Sequence, residues 1–251
     1  MKSILFVIVI VGILFVAWTS LREDFKVQID NVKFMSEIET NQFLYRDEDG
    51  YVSNLSPLDL YARKVSESDR YLDMISQSGV SFTEEQKSRF GAAAKAADAF
   101  LETKTEFSGI IEIPWILAMT EGKIYEEGLP HTRAGIIFVS SNINEEHKAL
   151  TRTMIHEKLH VYQRMYPEKT VQYLEKMGYK RWKQRLGVPR IRANPDLDPW
   201  IYYDSNTNQP MAAYYTSDKP SGITDVTLSN LGFEHPFEKI AYSIANEVTF
   251  K

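Results

Sequence analysis

The chain has only five histidines, and two of them fall in one stretch with a glutamate between them: His156-Glu157-Lys158-Leu159-His160. This is an H-E-x-x-H arrangement. On a helix, residues four apart lie one turn above each other, so both imidazoles face the same side. Two neutral imidazoles so placed can occupy two corners of a tetrahedral zinc site, about 2.0–2.1 Å from the metal. Glu157 is turned about 100° from His156, which brings a carboxylate within reach of a metal-bound water without making it a ligand. The chemistry this spacing serves is hydrolysis by an activated water, with one zinc ion as cofactor, His156 and His160 as ligands and Glu157 as general base.

The flanking sequence has to build that helix. Apolar Leu150, Met154, Ile155, Leu159, Tyr162 and Met165 recur at spacings of three and four, with one adjacent pair, and give it a buried side. Asn142 or Asn144 is expected to cap its start, with Glu145 completing a capping box three residues after Asn142, and Pro167 to close its end. Just upstream, Gly135–Ser141 reads as a short strand. The bland alternative is a solvated helix face that happens to carry two histidines. A buried side, cap signals and a strand feeding the helix weigh against it.

A catalytic zinc site needs a third protein ligand and an open fourth position. With no cysteine in the chain, that ligand is a histidine or a carboxylate. Near the C-terminus Pro236 suits the first turn of a helix, and Ile240, Ile244 and Val248 form an apolar stripe along it. Glu238 would sit in that first turn, with small Ala241 on the same face. On these residues alone, His235, Glu234 and Glu247 remain rivals to Glu238. A carboxylate at Glu238 is also favoured simply by the positive end of the helix dipole. His156–His160 together with Glu238–Ala241 resembles the gluzincin zinc metallopeptidases, whose second helix supplies a glutamate from a Glu-x-x-Ala pattern. The resemblance implies Glu238 as third ligand, a peptide or protein substrate, and an endopeptidase more than an exopeptidase. It covers a small part of the chain and names no subfamily, and the gap from His160 to Glu238 is longer than in thermolysin-like members.

Composition bounds the rest. At 251 residues, 43% hydrophobic and 25% charged, the chain is an ordinary globular protein with a sizeable core. A net charge of −5 without a basic run argues against nucleic acid as the main partner. Between Lys2 and Arg22 no residue is charged, which would make about 28 Å of helix, close to a bilayer's hydrocarbon thickness. Trp18 suits an interface, and Ala17-Trp18-Thr19 is a poor cleavage site, so an uncleaved membrane anchor is favoured over a signal sequence with secretion.

The expected fold class is therefore α+β: a zincin-like metalloprotease domain, with a small sheet, an active-site helix and a second ligand-bearing helix, behind an N-terminal transmembrane helix. Residues 1–21 form the anchor, 22–55 a tether leading into the domain, and 56–251 the metallopeptidase domain. Within it, 56–108 reads as helical, including a capping box at Thr83–Gln86. Residues 109–166 carry strands at Ile110–Ile113, Trp115–Met119 and Gly135–Ser141, then the motif helix. Val171–Leu186 reads as another helix, and loops and short strands follow to the Glu238 helix. The Gly135–Ser141 strand, if it lies at the sheet edge beside the cleft, could pair with substrate. Tyr202, Tyr203, Tyr214, Tyr215, Tyr242 and His235 are the candidates to stabilise an oxyanion, and His131 sits in a loop that could line the cleft. The competing class is a membrane-anchored zinc-binding or interaction protein without turnover.

Overall fold

A computed structural model of the chain describes residues 31–249 apart from Gly187, Pro189, Asn230 and Leu231. Its centre is a five-stranded mixed sheet. The strands β1 (Val32–Phe34), β3 (Trp115–Thr120) and β5 (Ile136–Ser140) run parallel, and β4 (His131–Arg133) pairs antiparallel with β5 at one edge. A short β2 (Gly79–Val80) adds antiparallel to β3. The strand sequences WILAMT and IIFVS are apolar on both faces, as strands covered from both sides must be. Leu117, Met119, Ile137 and Val139 pack in one core with the helices α4 (Glu84–Leu101) and α5 (His147–Met165). Ala118, Ile136 and Phe138 pack in a second core with α1 (Glu37–Arg46) and α3 (Ser68–Ile75).

Local signals explain where the helices begin. Ser36, Ser56 and Thr83 each accept a backbone N–H three residues on, and Glu39, Asp59 and Gln86 return the bond; these boxes open α1, α2 (Pro57–Ala62) and α4. The β4–β5 hairpin turns on Ala134 and Gly135, with φ of 47° and 82°, the left-handed pair that a two-residue turn needs. Beyond α5 come α6 (Pro167–Lys176), an antiparallel sheet of β6 (Tyr179–Gln184), β7 (Trp200–Asp204) and β8 (Gln209–Met211), a β9–β10 ribbon (Ala213–Tyr215, Val226–Leu228), and α7 (Pro236–Asn246).

Several expectations need correction. The fold class stands only as α+β, with seven α-helices and three sheets among the described residues in place of one small sheet. Among the described residues no helix is long and apolar enough to cross a membrane, so none of them supplies the expected transmembrane helix. The uncharged run 3–21 on which it rested lies outside the described residues. The stretch expected to tether the domain carries β1 and α1, and its Val32, Met35 and Leu44 are buried. Ile110–Glu112 forms a 3₁₀ turn, not a strand. The helix expected over Val171–Leu186 stops at Lys176, because Gly178 takes a φ of 89° and the chain turns back as β6. No asparagine caps α5: its N-cap is Glu146, without a side-chain bond, and the Glu145 carboxylate accepts from Thr153 instead.

Candidate metal centre

α5 carries the motif against the sheet, with Leu150, Met154, Ile155 and Leu159 fully buried as the periodicity requires. Pro236 opens α7 at its first turn, and Ile240, Ile244 and Val248 bury the stripe beneath it. Ala241, 0% exposed, lets the two helices approach, and the Gln163 amide of α5 donates to the Phe237 carbonyl of α7 at 3.3 Å. This crossing brings His156, His160 and Glu238 together. Nε2 of His156 lies 3.0 Å from Nε2 of His160, and Glu238 Oε2 lies 3.3 Å and 3.7 Å from these two nitrogens.

Those three separations test the fit to a metal. A tetrahedral ion with ligands at about 2.0–2.1 Å requires its ligand atoms to stand about 3.3–3.4 Å apart. The observed edges bracket that value. Two imidazole lone pairs facing each other at 3.0 Å repel unless a proton or a cation lies between them. Two imidazoles and one carboxylate, with no thiolate, are also the donor chemistry of catalytic rather than structural zinc. The residues fit Zn²⁺.

Each ligand is held from behind. His160 Nδ1 donates to Gln163 Oε1 at 2.8 Å, which leaves the Nε2 lone pair facing its partners. Glu238 Oε1 accepts from Asn194 Nδ2 at 2.9 Å, so that Oε2 is the oxygen turned to the histidines. The same Asn194 amide donates to Glu234, which is ion-paired with Arg192. The electrostatics favour positive charge at the centre. Burial opposes ionisation of Glu238, but the two histidines hold its carboxyl well below the usual range. Burial likewise disfavours a charged His160, yet Glu238 and Asp196 raise it to about 10.

Glu157 is buried and reaches the sheet: its Oε2 accepts from the Thr132 hydroxyl of β4 at 3.0 Å. Burial, aided by Glu238, pushes its carboxyl above the ordinary value. The Thr132 backbone N–H donates to Asp196 Oδ1 at 2.5 Å, so one threonine holds two buried carboxylates. Burial, and then Glu157, raise Asp196 well above the usual range. A cavity of about 730 Å³ opens onto His156, Glu157 and Glu238, with Leu129, Phe233 and Tyr242 among its walls. A broader hollow of about 1180 Å³ near Lys64 and Arg70 shares no lining residue with it.

The rivals for the third ligand fall elsewhere. His235 caps α7, its Nδ1 accepting from the Phe237 N–H at 3.1 Å while Nε2 meets the Trp200 carbonyl at 3.1 Å. Glu234 is occupied by Arg192 and Asn194, and Glu247 pairs with Lys104. Among the oxyanion candidates, Tyr202 donates to Asp198, Tyr203 to Asn208 and Tyr215 to Asp59. Tyr214 lies in the β9–β10 ribbon and does not line the cavity. Tyr242 lines the cavity, half exposed, its ring 4.4 Å from that of His156. His131 is on β4, buried between Tyr125 and Phe138, and also lines the cavity. The expected substrate-pairing strand, Gly135–Ser141, is interior to the sheet; β4 is the edge, and Asp196 already occupies the Thr132 N–H there.

The sequence reading did not single out Thr132, Gln163, Asn194 or Asp196 as site residues. Gln163 alone had a local signal, since it stands three residues after His160 on the same helix. No protein family, curated protein or solved structure matches the chain.

Proposed function

We propose that this protein is a zinc-dependent hydrolase of peptide bonds, with a gluzincin-type ligand set of His156, His160 and Glu238. The observation that carries the reading is the convergence of these three ligand atoms at 3.0, 3.3 and 3.7 Å beside a buried carboxylate and an open cleft. Bound there, Zn²⁺ would supply a Lewis acid that brings the pKa of a coordinated water toward neutrality and polarises a carbonyl. The protein's own part is positional. Glu157 takes the proton of the attacking water and returns it to the leaving amine. The Thr132 hydroxyl holds Oε2 of Glu157, which leaves Oε1 for that proton. Gln163 and Asn194 fix the ligand orientations, and Tyr242 is the cleft-lining phenol placed to donate to an oxyanion.

The test is zinc content and peptide-library hydrolysis for wild type, Glu157→Gln and Glu238→Ala. The reading expects one zinc per chain in wild type and in Glu157→Gln, with hydrolysis lost in the latter by about 10²-fold or more. Glu238→Ala should lose zinc. Full activity of Glu157→Gln with zinc bound overturns the mechanism, and zinc without turnover in wild type favours a binding protein. The uncharged run 3–21 supports delivery to or across a membrane, and fractionation with sequencing of the mature N-terminus separates retention from secretion.

A further inference from the structure

The chain as a whole is acidic, but the surface around β6 is not. From Lys176 to Leu186 there are five cations, Lys176, Lys180, Arg181, Lys183 and Arg185, and no acidic residue. β6 is an edge strand of its sheet, and every residue from Lys180 to Gln184 is exposed. Arg181 pairs with Asp198 and Arg185 with Asp59, each at 3.4 Å. Among the described residues, Lys176, Lys180 and Lys183 have no acidic partner. The same stretch carries three large apolar side chains in water: Met177 is 48% exposed, Trp182 51% and Leu186 60%. Lys183 Nζ lies 4.1 Å over the Trp182 ring.

Lysines on an edge strand are a common guard against pairing with another chain. That accounts for the cations and leaves the apolar side chains unexplained. We propose that this surface docks on an anionic lipid bilayer. The three unpaired lysines would lie at the headgroup phosphates, with Trp182, Met177 and Leu186 in the interfacial layer where an indole and aliphatic chains leave water together. A nucleic acid would meet the same cations and could stack on Trp182, but it offers nothing to Met177 or Leu186. Each lysine near an anionic leaflet strengthens binding about fivefold, so three contribute on the order of a hundredfold. The proposal does not depend on the metal centre.

The chain contains no cysteine, so Gln184→Cys gives a single labelling point on β6 that leaves the docking residues intact. The full-length protein, carrying an environment-sensitive dye at that position, is mixed with phosphatidylcholine vesicles with or without phosphatidylserine. The expected result is a blue-shifted emission, quenched by spin-labelled lipid, only where phosphatidylserine is present. The shift should disappear at high salt and in Lys176→Glu/Lys180→Glu/Lys183→Glu. Trp182→Ser should weaken it with the charge unchanged. Should the triple variant not fold, the salt dependence of the otherwise wild-type chain decides alone. Equal emission in both lipids, a shift that salt leaves in place, or a response to an oligonucleotide but not to phosphatidylserine overturns the proposal.

Discussion

Gln163 offers a direct way to test how the candidate centre is held together. Its Oε1 accepts from His160 Nδ1 at 2.8 Å and its Nε2 donates to the Phe237 carbonyl at 3.3 Å, so one buried side chain sets the tautomer of a ligand and joins the two ligand helices. Gln163→Leu keeps most of the volume and removes both bonds. His160 then loses the acceptor that fixes Nδ1–H, and the fraction of molecules with Nε2 ready to coordinate falls. Loss of such a partner typically weakens metal binding about 10–100-fold, which corresponds to about 1.4–2.7 kcal/mol. The buried His160 N–H also loses its partner, at about 1–3 kcal/mol in unfolding free energy, while the Phe237 carbonyl keeps the Ala241 N–H of its own helix and gives up only a second bond. Gln163→Glu separates the two effects. It keeps an acceptor for His160, so zinc affinity should stay within about threefold of wild type, but it removes the donor to Phe237 and should still lower stability. The assay is competition for zinc against a chromophoric chelator, with urea unfolding of the metal-free proteins alongside. Gln163→Leu binding zinc as tightly as wild type would refute the reasoning, as would Gln163→Glu binding as weakly as Gln163→Leu.

Three further outcomes follow from the same geometry. Thr132→Val removes the hydroxyl that stabilises ionised Glu157, so its pKa should rise; the acid limb of the pH–rate profile should move to higher pH and the rate near neutrality fall about tenfold, with zinc content unchanged. His131 is lowered by burial to about 4, against an ordinary value near 6.5, so the unfolded chain binds a proton that the folded one refuses. Folding stability should therefore be full above about pH 6.5 and fall by about 3 kcal/mol as the pH drops to 4, a slope that urea midpoints should show reduced in His131→Phe. Arg133 is fully buried against Asp47, Asp49 and the Tyr125 hydroxyl, and Arg133→Met leaves the carboxylates uncompensated; it should cost about 3–5 kcal/mol in urea unfolding at pH 7.

The local sequence determined what local physics can reach. The capping box at Thr83, Pro236 at a first helical turn, and the apolar spacing of α5 and α7 each depend on residues within one or two turns, and the structure carries them, except that Met165 at the end of α5 is exposed. The stacking of His156 and His160 follows from helical pitch alone. Where local signals misled, a neighbouring residue or a distant strand overrode them: Gly178 ended a helix expected to run on to Leu186, and pairing with β7 made Lys180–Gln184 a strand. The place of Gly135–Ser141 within the sheet was set by β4 on one side and β3 on the other, which no pattern inside the strand records. The choice of Glu238 over His235 was likewise tertiary. Adjacent residues at a helix start point in different directions, and only the packing of α7 against α5 through Ala241 decides which of them meets the histidines. Thr132, Asn194 and Asp196 come from a strand and a loop far from the motif in sequence, and their grip on Glu157 and Glu238 exists only once the sheet, the helix and the loop are packed together.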